Sequence, residues 1–319
     1  MLGSAVSRGI GVGLVVALAV ACARQTPVAP SRFSVRLVTS AMLSGRWERA
    51  AERGLGRIAA ELDADVGRLR VSDTDGGRPR LAELGRTGVD LVFCVGGGLE
   101  RAVFVEAPAH PGTVFMLLPG RAHEPNVGSI EFMSEGAGYL AGVVAAEIAP
   151  GPRAGVIRGS GGPWLEAVEA GFAAGFRVGR QRAVVDPVVG VDGIEALGSG
   201  GAEIALYATD APRSEELDAA ARAGLKLVAT EFELMASAPQ LVVATVEVDV
   251  AEAMLRVARE VRDGTFRGRV YSFDLGSGVL DVRLNATLAP EVAEAAREAM
   301  EAARAEVTAG VVEIEGMGL

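Results

Sequence analysis

Lysine is almost missing from this chain: Lys226 is the only one, and arginine supplies the remaining positive charge. With 31 Lys plus Arg against 41 Asp plus Glu the formal charge is −10, and no basic stripe gathers the positive groups. That argues against a nucleic-acid partner, which needs a concentrated positive face. Histidine occurs twice, at His110 and His123, and neither has metal-ligand spacing to a second His or Cys. The chain has no Gly-x-Ser-x-Gly elbow. It has no Gly-x-x-x-x-Gly-Lys-Ser/Thr loop either, and Lys226 stands elsewhere. Carboxylates are plentiful, but nothing in their placement selects a catalytic pair. The expectation is a protein that is not an enzyme and that needs no cofactor and no metal. Cysteine is equally scarce, at Cys22 and Cys94.

The N-terminus is informative for what it carries. Arg8 is the only charge before residue 24, and residues 9–21 form a continuous apolar and small run ending Leu18-Ala19-Val20-Ala21-Cys22. A positive start, a run of this length and a small-residue exit describe an export signal too short to span a bilayer. A cysteine directly after the small residues looks like a bacterial lipobox, with Cys22 as the lipid attachment site. Ordinary cleavage near Ala21 or Ala23 is the alternative, and a buried N-terminal helix is disfavoured because the run has no polar face. Residues 1–22 therefore read as signal and 23–32 as a proline-bearing linker. With Cys22 acylated, Cys94 is left unpaired in the apolar run 89–95, as a small core residue, and no disulfide is expected.

Half of the sequence is apolar, aromatics make up 5% and glycine numbers 42, which suits a packed α/β protein. Apolar β-branched runs at 34–39, 68–71, 89–95, 113–118 and 127–132 read as strands. A second series follows at 154–158, 183–188, 202–207, 226–229 and 241–246. Helical stretches lie between them, at 45–62, 78–85, 99–107, 135–148, 163–176, 193–198, 214–223 and 250–263, with a C-terminal helix from 290 to about 308. The last reads as a half-solvated surface helix, with a partner-binding face as the sharper alternative. Near-continuous apolar strands alternating with helices imply parallel sheets covered on both faces.

One stretch carries more. Phe132, Tyr139-Leu140-Ala141-Gly142, Gly155 with Gly159, and Gly171-Phe172 with Gly175 keep the order and spacing of a known signature. It resembles that of the basic membrane protein family, the nucleoside-type substrate-binding lipoproteins of ABC transporters. The resemblance runs from Val35 to about Gly310. It implies a type I periplasmic binding fold: two doubly wound, Rossmann-like lobes joined by three crossover segments. The lobes would be 33–131 with 248–269, and 132–247 with 270–319. It implies a small-molecule ligand between the lobes, an ABC permease partner, a lipid-anchored place in the cell envelope and a monomer. The alternative is a sensor or interaction lipoprotein that keeps the fold without transport.

Ligands of open α/β sheets sit beyond the carboxyl ends of the strands, where glycine lets backbone come close. Three loops qualify: Gly96-Gly97-Gly98, Gly159-Ser160-Gly161-Gly162 and Thr209-Asp210-Ala211. The family's first loop, Asp-x-Ser-Phe-Asn, is changed here to Ser44, Arg46, Trp47 and Glu48. Trp47 keeps a stacking face, and Glu48 replaces the Asn. The family's Gly-Gly-Thr-Gly becomes Asp210-Ala211-Pro212-Arg213, and its Val-Asp-x-Asp becomes Thr230-Glu231-Phe232-Glu233. Pro119-Gly120 replaces an Asp-Gly, Val246-Glu247 replaces a Lys-Arg, and Val248-Asp249 is retained. Glu231 can still accept hydroxyls, and Trp164 either caps the cleft or fills the helix–sheet core. Arg213 either pairs an anionic group or is solvated. The expected ligand-binding set is Trp47, Glu48, Gly96, Gly97, Gly159, Ser160, Trp164, Asp210, Glu231 and Phe232. Because most polar contacts differ, the ligand is expected to be something other than an ordinary purine nucleoside, or the site to be weakened.

Overall fold

Strands of this chain are short apolar runs that end at glycine or a polar turn, and helices fill the intervals between them. In order these are β1 (Ser34–Ser40), α1 (Gly45–Leu62), β2 (Asp65–Val71), α2 (Thr74–Arg86), β3 (Leu91–Val95), α3 (Glu100–Glu106), β4 (Val114–Leu118) and β5 (Val127–Phe132). Then come α4 (Glu135–Ile148), β6 (Arg153–Arg158), α5 (Pro163–Arg177), β7 (Val184–Val188), α6 (Gly190–Ser199), β8 (Ile204–Ala208), α7 (Ser214–Arg222) and β9 (Lys226–Ala229). The chain closes with α8 (Glu233–Ser237), β10 (Val242–Val248), α9 (Val250–Arg262), β11 (Val270–Phe273), β12 (Leu280–Leu284) and α10 (Pro290–Thr308). This computed structural model describes residues 32–40, 45–71, 74–149, 151–178, 180, 182–231, 233–312 and 314. The expectations for the signal, for most of the linker and for Cys22 and Phe232 lie outside them. Residues 32–319 form one compact unit.

Two six-stranded sheets result, ordered β11-β5-β4-β3-β1-β2 and β12-β10-β9-β8-β6-β7. Every pairing is parallel except β10 with β12. The central strands β3 and β8 are buried at every residue, as strands covered on both faces must be. In each sheet the order reverses beside its first strand, between β1 and β3 and between β6 and β8.

The sequence reading gives residues 270–319 wholly to the second lobe, and the structure corrects this. β11 pairs with β5 of the first sheet, Tyr271 opposite Ile130 and Phe273 opposite Phe132, and only β12 joins the second. The last crossing therefore falls between β11 and β12. Tyr271 and Phe273 are buried while Ser272 between them is exposed. A four-residue run with that alternation fits the edge of either sheet, and side-chain packing decides: the Phe273 ring lies 6.3 Å from that of Phe132.

Tyr271 also donates to Glu260 Oε2 at 2.7 Å. Burial first, and then that bond, push its phenol from the ordinary 10.0 to about 12. A group whose folded pKa is raised contributes stability that is whole below its unfolded pKa and lost as pH climbs through the folded one. Stability should therefore decline between pH 10 and about 12. Tyr207, pushed up by burial and by its bond to Glu216, shifts the same way. Tyr271→Phe is expected to flatten the decline without abolishing it in urea titrations run across that window; an unaltered slope would clear Tyr271 of the effect.

Four glycines of α4 and α5 are packing devices. A Cβ on Gly138 would lie 2.2 Å from the Val168 carbonyl oxygen, and one on Gly142 2.2 Å from that of Phe172. Reciprocally, a Cβ on Gly171 or Gly175 would lie 2.0 Å from the carbonyl oxygen of Glu135 or Tyr139. Helices α4 and α5 thus touch backbone to backbone, and α4 is buried on nearly all sides. Retained Asp249 has a local role: its side chain accepts from Glu252 N–H at 2.9 Å and caps α9. Asp249→Ala should cost about 1 kcal/mol in the unfolding free energy, and no loss in a denaturant titration would refute the capping role.

Candidate functional site

The reversal of strand order opens a crevice at the carboxyl ends of the neighbouring strands, and that is where a ligand fits in such sheets. Both crevices are furnished. After β1 the chain enters α1, whose first turn carries Arg46 and Trp47. After β8 it turns at Thr209 and Asp210, and α5, following β6, opens on Pro163 and Trp164.

Loop chemistry fixes Asp210. Its backbone N–H donates to the Ser160 carbonyl at 2.8 Å. Thr209 N–H donates to Thr230 Oγ1 at 3.1 Å, and that hydroxyl donates to the Thr209 carbonyl at 3.0 Å. Gly159 is needed here, because a Cβ would lie 2.2 Å from Thr209 Oγ1. The side chain then accepts from both lobes: Trp47 Nε1 of the first donates to Oδ2 at 3.2 Å and Trp164 Nε1 of the second donates to the same oxygen at 3.3 Å. Arg46 Nη1 stands 3.5 Å from Oδ1.

Aromatic rings surround this carboxylate. Trp47 meets Trp164 edge to face at 5.5 Å and stacks on Phe132 at 5.8 Å. Only 5% of Arg46 and 9% of Asp210 is exposed, so this ion pair is dry. Burial pulls the Arg46 pKa down; attraction to Asp210 and Glu231 opposes this, while Arg53 and Arg49 add to the lowering. The centre between the lobes is occupied by side chains. A groove of about 530 Å³ exists nearby, but residues of the second lobe alone line it, among them Arg158, Gly162, Glu166 and Glu169. An open groove therefore lies beside α5, while the converging polar groups are between the lobes. The latter is the stronger candidate site, because groups from both sheets meet there.

Of the expected ligand residues, Trp47, Trp164 and Asp210 come together. Glu231 is buried at the margin, accepting from Glu233 N–H at 3.3 Å and lying 3.8 Å from Arg49. Ser160 holds Asp210 through its backbone carbonyl, and Gly159 N–H donates to the Ala208 carbonyl at 2.9 Å just ahead of it. Glu48 faces inward within the first lobe, accepting from Thr39 Oγ1 at 3.2 Å with Arg70 3.5 Å away. Gly96, at φ 112°, and Gly97 make the turn after β3; among the described residues no hydrogen bond ties them to the Asp210 cluster. Arg213 is mostly exposed and pairs with Glu216 at 3.8 Å. The sequence reading passed over Arg46 as a participant. The available signal was its position beside Trp47 in the first turn after the first strand.

Comparison with known proteins agrees with this architecture. Residues 38–190 match the family described as Bmp, ABC transporter substrate-binding protein PnrA-like. No curated protein matches. Among solved structures, a transcriptional activator of the comK gene from Bacillus halodurans superposes with TM-score 0.74 at 21% identity, covering 85% of this chain and 97% of that one. An ABC transporter solute-binding protein from Conexibacter woesei DSM 14684 gives 0.73 at 21%, covering 88% and 97%. One from Aeropyrum pernix K1 gives 0.69 at 19%, covering 88% and 92%. At these identities the structures speak for the fold alone.

Proposed function

Over residues 38–190 this chain carries the pattern of the Bmp family of PnrA-like ABC transporter substrate-binding proteins, and from that premise we propose that it is an exported, lipid-anchored receptor serving an ABC importer. It takes a small polar solute between its lobes and hands it to a permease as the lobes open and close. The observation that carries the reading is the dry Trp47–Trp164–Asp210 centre, built by the switch points of both sheets. The test is the unfolding midpoint of the chain from Phe33 onward, against a panel of nucleosides and other small metabolites. A ligand at a hundred times its dissociation constant adds about 2.7 kcal/mol, so a true ligand should raise the midpoint visibly. No shift across the panel would count against the receptor reading.

Anchoring rests on Cys22 following Leu18-Ala19-Val20-Ala21. No helix among the described residues is long and apolar enough to cross a membrane. Cys22→Ser is expected to release the full chain from the membrane fraction. If the variant still sediments with membranes, the anchor lies elsewhere.

A second reading has its own support: Arg46 occupies the middle of the cleft. A protein that keeps its lobes closed on its own arginine suits a sensor or interaction lipoprotein. It would purify without ligand and keep one compact form under every solute.

A further inference from the structure

The middle of the cleft holds a positive group that belongs to the chain itself. The Arg46 guanidinium carbon lies 4.3 Å from the Trp164 ring centroid and 5.5 Å from that of Trp47. The two indoles stand 88° apart, so they form a corner with two faces. Asp210 closes one edge of it. Both indole N–H groups hold its Oδ2, which leaves Oδ1 turned to the cation.

The fit of Arg46 in that corner is loose. A charge-assisted N–H···O bond is strongest at roughly 2.7–2.9 Å, and this one spans 3.5 Å. Glu231, 3% exposed, attracts the same guanidinium. Two aromatic faces and two buried carboxylates are the partners of a cation. An anion would meet both carboxylates at a loss. A neutral solute that displaced Arg46 would leave Asp210 desolvated without its opposing charge.

We infer that the solute of this cleft is a small organic cation, bearing a guanidinium or ammonium group, which takes the place of the Arg46 side chain between Trp47 and Trp164 against Asp210. This rests on the reading of the cleft as a solute site. Arg46 is then a built-in competitor: it satisfies Asp210 in the empty protein and moves to solvent when the lobes part and the solute enters. Apparent affinity is reduced by the fraction of molecules in which Arg46 holds the corner.

Titration calorimetry on the chain from Phe33 onward tests this with four probes: agmatine, choline, adenosine and succinate. At least one of the two cations is expected to bind, while adenosine and succinate do not. Arg46→Ala should tighten cation binding at least tenfold, and Asp210→Asn should weaken it at least tenfold. Should Arg46→Ala fail to fold, Arg46→Met keeps the bulk without the charge and serves the same comparison. Binding of adenosine or succinate in preference would overturn the cation class while leaving the solute-receptor reading intact. Cation binding unchanged by loss of Arg46 would overturn its role as competitor. Silence from all four probes, in the unaltered protein and in the Arg46 variant, would overturn the inference; the receptor reading then stands on the wider metabolite panel.

Discussion

Alanine at Gly171 is expected to lower the unfolding free energy by about 2 kcal/mol, against the ordinary direction for a helical glycine. In an exposed helix interior, glycine to alanine gains about 1 kcal/mol. Here the new methyl would lie 2.0 Å from the Glu135 carbonyl oxygen and 2.7 Å from the Tyr139 amide nitrogen. Those atoms are backbone of a buried helix and cannot rotate away, so α4 and α5 must separate. Overpacking of that kind costs about 3 kcal/mol at the upper end of the common range, which outweighs the propensity gain. Gly56 in α1 supplies the control, since a Cβ there has nothing within 4 Å; Gly56→Ala should stabilise by up to about 1 kcal/mol. Urea titrations of both variants decide the matter. A Gly171→Ala protein as stable as the parent would mean that the signature glycines serve something other than helix contact.

Asp210→Ala is expected to open the molecule. The carboxylate is the common acceptor of two indole N–H groups and faces the buried guanidinium, with Arg46 and Trp47 contributed by the first lobe and Trp164 by the second. Removing one partner of a buried ion pair costs about 3–5 kcal/mol when the survivor stays buried. Arg46 has an escape, because parting the lobes returns it to water. The loss should therefore appear as a shift of the closed–open equilibrium by about 3 kcal/mol, more than a hundredfold, with a smaller fall in global stability. Small-angle scattering should report a larger radius of gyration for the variant than for the parent. An unchanged radius with a sharply lower unfolding free energy would mean that the pair belongs to a fixed core and that the lobes do not hinge there. The Arg49–Glu233 pair, at 3.1 Å with both side chains about half exposed, is solvent-screened and is expected to add little to closure.

Much of this was legible in the residues, for identifiable reasons. The run Leu91–Val95 and its counterpart Ile204–Ala208 announce central strands because burial on both faces leaves no polar position. The signature glycines announce themselves by spacing. Asp210 follows from the rule that ligands sit beyond strand ends, Trp47 is offered by the resemblance alone, and Trp164 stands open between cleft and core. The edge strands were less legible. Val270–Phe273 has an alternation that any sheet edge accommodates, and the five-residue helix Glu233–Ser237 is too short to show a period. Arg46 was obscured by a different limit. A sequence shows that a position is charged, but it does not show that loops 164 residues apart converge on it. Nor could spacing foretell that Glu48 would turn inward to Thr39 while Glu231 accepted from the Glu233 backbone at the margin.

The interleaved course of the chain has a consequence for truncation. Each sheet draws one of its two outermost strands from the same late stretch, β11 for the first and β12 for the second. A chain ending at residue 269 would leave β5 and β10, strands of six and seven residues, with unpaired ladders simultaneously. Bare edges of that kind recruit strands from other molecules. A single late stop would therefore produce a bivalent particle with one adhesive edge on each lobe, capable of growing chains of molecules where a single exposed edge would end at pairs.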